Sequence, residues 1–154
     1  MKKYIKLIRV KHYIKNLLIF LPIIFSQRIT DITALTKTLI TFILFCISAS
    51  IIYVVNDIKD IDKDRNHPKK KNRPLASGEI SIKQAIKVII ILSIILICGM
   101  IISFRSNAYV TVVILVYIIM NMLYSMKLKN IPILDITILA TGFLIRVVLR
   151  SSSK

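Results

Sequence analysis

Apolar residues run along this chain in blocks of membrane length, with the polar positions gathered between them. The blocks cover residues 12–29, 38–56, 83–103, 108–124 and 133–149. At 1.5 Å per residue each reaches roughly 25 to 32 Å, close to the hydrocarbon thickness of a bilayer. The pattern predicts an all-α fold, a polytopic transmembrane helical bundle of about five helices. The first block is short, about 27 Å as a helix, and contains Pro22, so a kinked span is expected there. Residues 27–37, 104–107 and 125–132 read as connections, the second a tight turn and the third short and basic.

Ahead of the first block, Lys2, Lys3, Lys6, Arg9, Lys11 and Lys15 alternate with Tyr4, Ile5, Leu7, Ile8, Val10, Tyr13 and Ile14. That alternation predicts an amphipathic helix on the membrane surface, with lysines toward headgroups. A basic start followed by an apolar run also suggests a signal peptide. Ser26-Gln27-Arg28 is a poor cleavage site, so the segment is expected to stay as the first helix.

Composition sharpens the class. Of 154 residues 56% are hydrophobic, a share that would leave a soluble domain without enough polar surface. Lys and Arg number 23 against 7 Asp and Glu, for a formal charge of +16. In a soluble chain this would point to nucleic acid. Here the basic residues flank apolar blocks, where they anchor helices and set orientation, and no nucleic-acid partner is expected. Only Arg28, Lys37, Arg105, Arg146, Arg150 and Lys154 fall on one side of the predicted bundle. The N-terminus, the polar segment 57–82 and the turn after residue 124 share the other, which the positive-inside rule makes cytoplasmic in a multi-pass cell-membrane protein. Cys46 and Cys98 lie in apolar runs without a CxxC pair and read as small helix residues.

The segment 53–81 is where chemistry concentrates. Asp57, Asp60, Asp62 and Asp64 follow an apolar span, and Arg65, Lys69, Lys70, Lys71 and Arg73 follow them. If the helix continues through the aspartates, Asp57, Asp60 and Asp64 fall within an arc of about 60°, and Asp62 points away. Three carboxylates on one face repel each other unless a cation sits among them, and oxygen ligands select Mg²⁺ or Ca²⁺ over zinc. The cations that follow suit phosphate charge left uncovered by a metal, although a solvated basic loop also accounts for Lys69 to Lys71. An EF-hand is excluded, because Arg65 and Lys71 stand where Gly and Glu are required. His67, followed by Pro68, reads as a turn residue.

Asn56-Asp57-x-x-Asp60-x-x-x-Asp64, extended by Arg65, Pro68, Arg73-Pro74 and Ser77-Gly78, resembles the NDxxDxxxD motif of the UbiA superfamily of intramembrane prenyltransferases. Within it the chain is most similar to the decaprenyl-phosphate phosphoribosyltransferase branch. That likeness lies in residues 9–18, similar to an RPKQWxKN opening, in Asp64-Arg65-x-His67-Pro68, and in Tyr124-Ser125-x-x-Leu128-Lys129-x-x-Pro132-x-x-Asp135. Val10, His12 and Tyr13 depart from the branch pattern, where proline, glutamine and tryptophan stand.

The resemblance implies the first half of the UbiA fold, a single truncated membrane domain over residues 1–154. A second aspartate motif, usual in the later half of the family, is absent, and Asp135 is a lone carboxylate. Mg²⁺ held by Asp57, Asp60 and Asp64, the implied catalytic set, would bind the diphosphate of phosphoribosyl diphosphate, and a polyprenyl phosphate would accept the phosphoribosyl group. Lys15, Asn16, Asn56, Arg65, Lys69, Arg73, Tyr124 and Lys127 are the implied substrate contacts. A second copy or a complementing C-terminal half is the expected protein partner. The same site would serve an alternative reaction, transfer of a prenyl chain from its diphosphate to an aromatic or other acceptor. A non-catalytic membrane protein is a further reading, weakened by spans that offer no polar pathway.

Overall fold

The computed structural model describes residues 2–25, 27, 29–106 and 108–123, and among these every regular element is helical. α1 (Lys2–Leu7) leads into a 3₁₀ segment (Val10–Phe20) and a short α2 (Leu21–Phe25). α3 (Ile32–Lys59) is the longest element. α4 (Ile61–Arg65) and a 3₁₀ turn (Lys70–Asn72) follow, then α5 (Ile82–Ser106) and α6 (Ala108–Leu123). The expected fifth span and the basic turn before it lie outside the described residues.

Asp31 starts α3 by accepting a hydrogen bond from the Ala34 amide at 3.1 Å. Within the helix Thr36, Thr38, Thr41 and Ser48 donate their hydroxyls to the carbonyl four residues back, which satisfies them without water. α5 opens on a reciprocal cap: the Ser81 amide donates to the Gln84 side-chain oxygen, and the Gln84 amide donates to Ser81 Oγ. α3 and α5 are long and apolar enough to cross a membrane. They pack with α6 around Leu44, Leu96 and Ile114, and the rings of Phe45 and Tyr117 stack at 4.2 Å between centroids. At Gly99 a Cβ would stand 2.4 Å from Leu44 Cδ2, so the missing side chain is what lets α5 approach α3 this closely.

Three expectations need revision. The tight turn at 104–107 contracts, since α5 continues to Ser106 and α6 begins at Ala108. The first apolar block is not one kinked α-helix: its N-terminal part is 3₁₀, and Pro22 falls where that winding gives way to α2, just after the Leu21 amide that donates to the Leu18 carbonyl. The N-terminal amphipathic helix is only six residues long, because Arg9 adopts a left-handed backbone (φ 54°, ψ 46°) that ends it.

That left-handed turn lays the chain antiparallel along α3. Tyr13 Oη and Ser50 Oγ are 2.7 Å apart, Asn16 donates to Cys46 Sγ at 3.3 Å, and Phe20 meets Phe42. Ser50 has one proton, which goes to the Ile8 or Cys46 carbonyl, so Tyr13 is the donor to it. The register has a geometric cause. Three residues of 3₁₀ helix rise about 6 Å, and four residues of α-helix rise about 6 Å, so the steps 13 to 16 and 50 to 46 stay aligned.

Candidate functional site

The site forms at the C-terminal end of α3, where α1, α4, the following loop and the start of α5 meet it. Leu7 of α1, Val54 of α3, Ile61 of α4, Leu75 and Ile80 of the following loop, and Ala85 of α5 build a small apolar core. Lys3 and Lys6 donate to the carbonyls of Glu79 and Asn72, at 3.2 and 2.7 Å. Thus α1 docks on the loop, and these two lysines engage loop carbonyls where headgroup contacts were expected.

The loop is folded by its own sequence. His67 Nδ1 accepts the amides of Lys69 and Lys70, which makes it the turn residue expected of it. Arg73 precedes Pro74 and is accordingly extended (φ −71°, ψ 145°), which carries its side chain back toward α3. Gly78, at φ 80°, closes the turn that lets the Ile80 amide reach the Pro74 carbonyl at 2.9 Å.

Asp57 and Asp64 are both buried, each 3% exposed. A single guanidinium nitrogen of Arg73, Nη1, lies 3.2 Å from Asp57 Oδ1 and 2.5 Å from Asp64 Oδ2. Arg9 Nη2 donates to the same Asp57 Oδ1 at 2.5 Å, and its guanidinium lies over the Tyr53 ring at 4.7 Å. His12 abuts the same ring edge-on at 5.7 Å. Two carboxylates and two guanidiniums thus balance in charge. A buried carboxylate is tolerated only with such partners, and removing one side of a buried pair typically costs about 3–5 kcal/mol.

The other expected residues are less closely gathered. Asp60 is half-buried at the break between α3 and α4 (φ −101°, ψ 12°), where its amide donates to the Asn56 carbonyl and its carbonyl accepts the Asp64 amide. The break means that the helical arc predicted for three carboxylates is interrupted at the middle one. Asp62 points outward, 96% exposed, toward Arg65 at 3.8 Å. Arg65 also reaches the Ala76 carbonyl at 3.4 Å, Asn56 is half-buried, and Asn16 is engaged with Cys46. Lys15 and Lys69 are exposed. Tyr124 and Lys127 lie outside the described residues.

Among the described residues no group of three His, Cys, Asp or Glu side chains is set to hold a metal ion. Asp57 and Asp64 do converge on one point, now taken by Arg73 Nη1. Two carboxylates are what Mg²⁺ commonly takes from a protein, with water and phosphate oxygens completing its octahedron. The donor set therefore fits that ion.

Arg9 was absent from the residues expected at the site. One signal could have found it: among the basic positions of residues 1–15 it is the single arginine, the rest being lysines. Guanidinium is the group suited to forked contact with carboxylate or phosphate and to stacking on an aromatic ring.

Residues 17–151 match the UbiA prenyltransferase family. The chain belongs to that family. Among relatives, it is 34% identical over 150 residues to a decaprenyl-phosphate phosphoribosyltransferase of Mycolicibacterium smegmatis, covering 94% of this chain and 46% of the relative. It is 35% identical over 150 residues to the enzyme of the same name from Corynebacterium glutamicum, at 92% and 43% coverage. A digeranylgeranylglyceryl phosphate synthase of Sulfurisphaera tokodaii is 27% identical over 130 residues, at 84% and 44%. The chain spans a little under half the length of these relatives. As a UbiA-family chain with two apolar helices of spanning length, it is an all-α membrane protein segment.

Proposed function

We propose that this chain forms the diphosphate-binding wall of a UbiA-family transferase that moves a phosphoribosyl group from phosphoribosyl diphosphate to a polyprenyl phosphate. The observation that carries this reading is the buried Asp57–Asp64 pair joined through Arg73, beside two similarities to decaprenyl-phosphate phosphoribosyltransferases. Asp57 and Asp64 would hold Mg²⁺, with Asp60 at the helix break next to them. When bound, the ion would supply positive charge to offset the negative charge developing on departing pyrophosphate.

The chain's own groups do the rest. Arg73 offers guanidinium hydrogen bonds to phosphate oxygens once it leaves the carboxylates. Asn56 sits one turn before Asp60, Arg65 is fixed on the loop by the Ala76 carbonyl, and exposed Lys15 and Lys69 add positive charge around the entrance. Tyr124 and Lys127, which lie outside the described residues, are proposed as further substrate contacts. The acceptor phosphate would approach from the bilayer with its polyprenyl chain still in lipid.

The similarity to digeranylgeranylglyceryl phosphate synthase favours a second reading, in which an allylic prenyl diphosphate is the donor and the same carboxylates serve its diphosphate. Equilibrium binding to the chain in lipid nanodiscs separates the two. Labelled phosphoribosyl diphosphate is expected to bind with Mg²⁺ and to be released by EDTA. Retention of labelled prenyl diphosphate, with no retention of phosphoribosyl diphosphate, would transfer the assignment to the second reading.

A further inference from the structure

We propose that Arg9 is a second phosphate-binding arginine of this site, held in reserve on Asp57 and exchanged onto the diphosphate when a divalent cation takes the carboxylate. The inference rests on the diphosphate-site reading above and adds to it a residue from the N-terminal arm.

Three observations converge on Arg9. Its backbone is left-handed, a conformation that Asn or Gly adopts at less cost, so the arginine is there for its side chain. That side chain lies between Tyr53, which holds the guanidinium plane, and Asp57 Oδ1, which accepts its hydrogen bond. Arg73 converges on the same Oδ1 from the opposite side of the sequence, so one carboxylate oxygen is shared by two guanidiniums. A metal ion that displaces Arg73 from the point between the two carboxylates also competes with Arg9 for the Oδ1 they share.

Charge decides the order of events. Asp57, Asp64, Arg9 and Arg73 sum to zero. A divalent ion alone would leave the group with two positive charges in excess. The diphosphate arriving with the ion more than offsets that excess, and the displaced guanidinium finds phosphate oxygens, for which its planar fork is suited. Metal and diphosphate should therefore bind cooperatively, with Arg9 contributing to the coupling.

The test is calorimetric titration of the chain in nanodiscs with MgCl₂ alone, and with inorganic pyrophosphate at fixed Mg²⁺. Arg9→Asn and Arg9→Gly remove the guanidinium while keeping residues that accept the left-handed turn. Both variants are expected to bind Mg²⁺ alone more tightly than wild type, because a competitor for Asp57 is gone. Both should bind pyrophosphate with Mg²⁺ about tenfold or more weakly, the scale of a lost charge-assisted hydrogen bond. Lys6→Gln, which loosens the same arm at Asn72 without touching the guanidinium, should leave pyrophosphate affinity within about twofold.

Unchanged pyrophosphate affinity in both Arg9 variants would overturn the proposal while leaving the diphosphate site standing. Equal weakening by Lys6→Gln would overturn it too, by reducing Arg9 to a structural strut. If wild type binds no pyrophosphate with Mg²⁺, both the proposal and the reading beneath it fall.

Discussion

α3 and α5 are comparably apolar and both long enough to cross a bilayer, yet 44% of the most apolar window is buried in α3 and 11% in α5. The difference separates two uses of a hydrophobic helix. α5 presents Ile90, Ile91, Ile94, Ile97, Ile101 and Ile102 outward, and its contacts with α3 and α6 run along a narrow face around Leu96 and Gly99. α3 is covered by the N-terminal arm on one side and by α5 and α6 on another. Along the armed side it carries Cys46, Ser50, Tyr53 and Asp57, each one turn from the next and each met by a group from the arm. Polar side chains in a membrane-spanning helix are costly unless partnered, so they mark where a helix faces protein. Hydropathy alone ranks these helices together, and the partners of their polar groups tell them apart.

The sharpest way to break the comparison is at the end of α3. Asp57→Ala leaves two guanidiniums facing each other in a buried site and is expected to destabilise the fold by about 3–5 kcal/mol, read as thermal unfolding in detergent micelles. A loss under about 1 kcal/mol would mean that Asp57 behaves as an exposed ion pair. On α5 the comparison predicts one sensitive position. Gly99→Val drives a side chain into Leu44 and is expected to cost about 1–3 kcal/mol by the same measurement. Next in size, Ile102→Leu on the outer face of α5 should stay within about 0.5 kcal/mol of wild type. If Ile102→Leu proved as damaging as Gly99→Val, the outward face of α5 would have to be a packing surface.

Much of the helical frame could be read from the chain. The apolar blocks located α5 and α6 to within three residues, whereas α3 begins at Ile32, six residues inside the stretch expected to be a polar connection, where the Asp31 cap starts the helix. The outward position of Asp62 followed from helical rotation, since the break at Asp60 shifts the arc without reversing it. Less legible was the first block, which reads as an ordinary helix in its residue types. Its 3₁₀ winding depends on matching a three-residue step to the four-residue step of polar groups on α3, a relation between two segments that neither displays alone. The same holds for Arg9: its charge was visible, but its reach to Asp57 follows from a left-handed turn ahead of Val10 and from the register of the arm.

By itself, then, the sequence determined that this is an α-helical membrane chain with carboxylates and cations concentrated after its second apolar block, since composition and periodicity act locally along the chain. Tertiary structure decided which charges meet. Asp57 and Asp64 share Arg73 because Pro74 extends the backbone behind that arginine, and Asp57 gains Arg9 because the N-terminal arm lies antiparallel on α3. Charge pairing falls off over a few ångströms in space, and the partners here stand up to 48 positions apart in the chain.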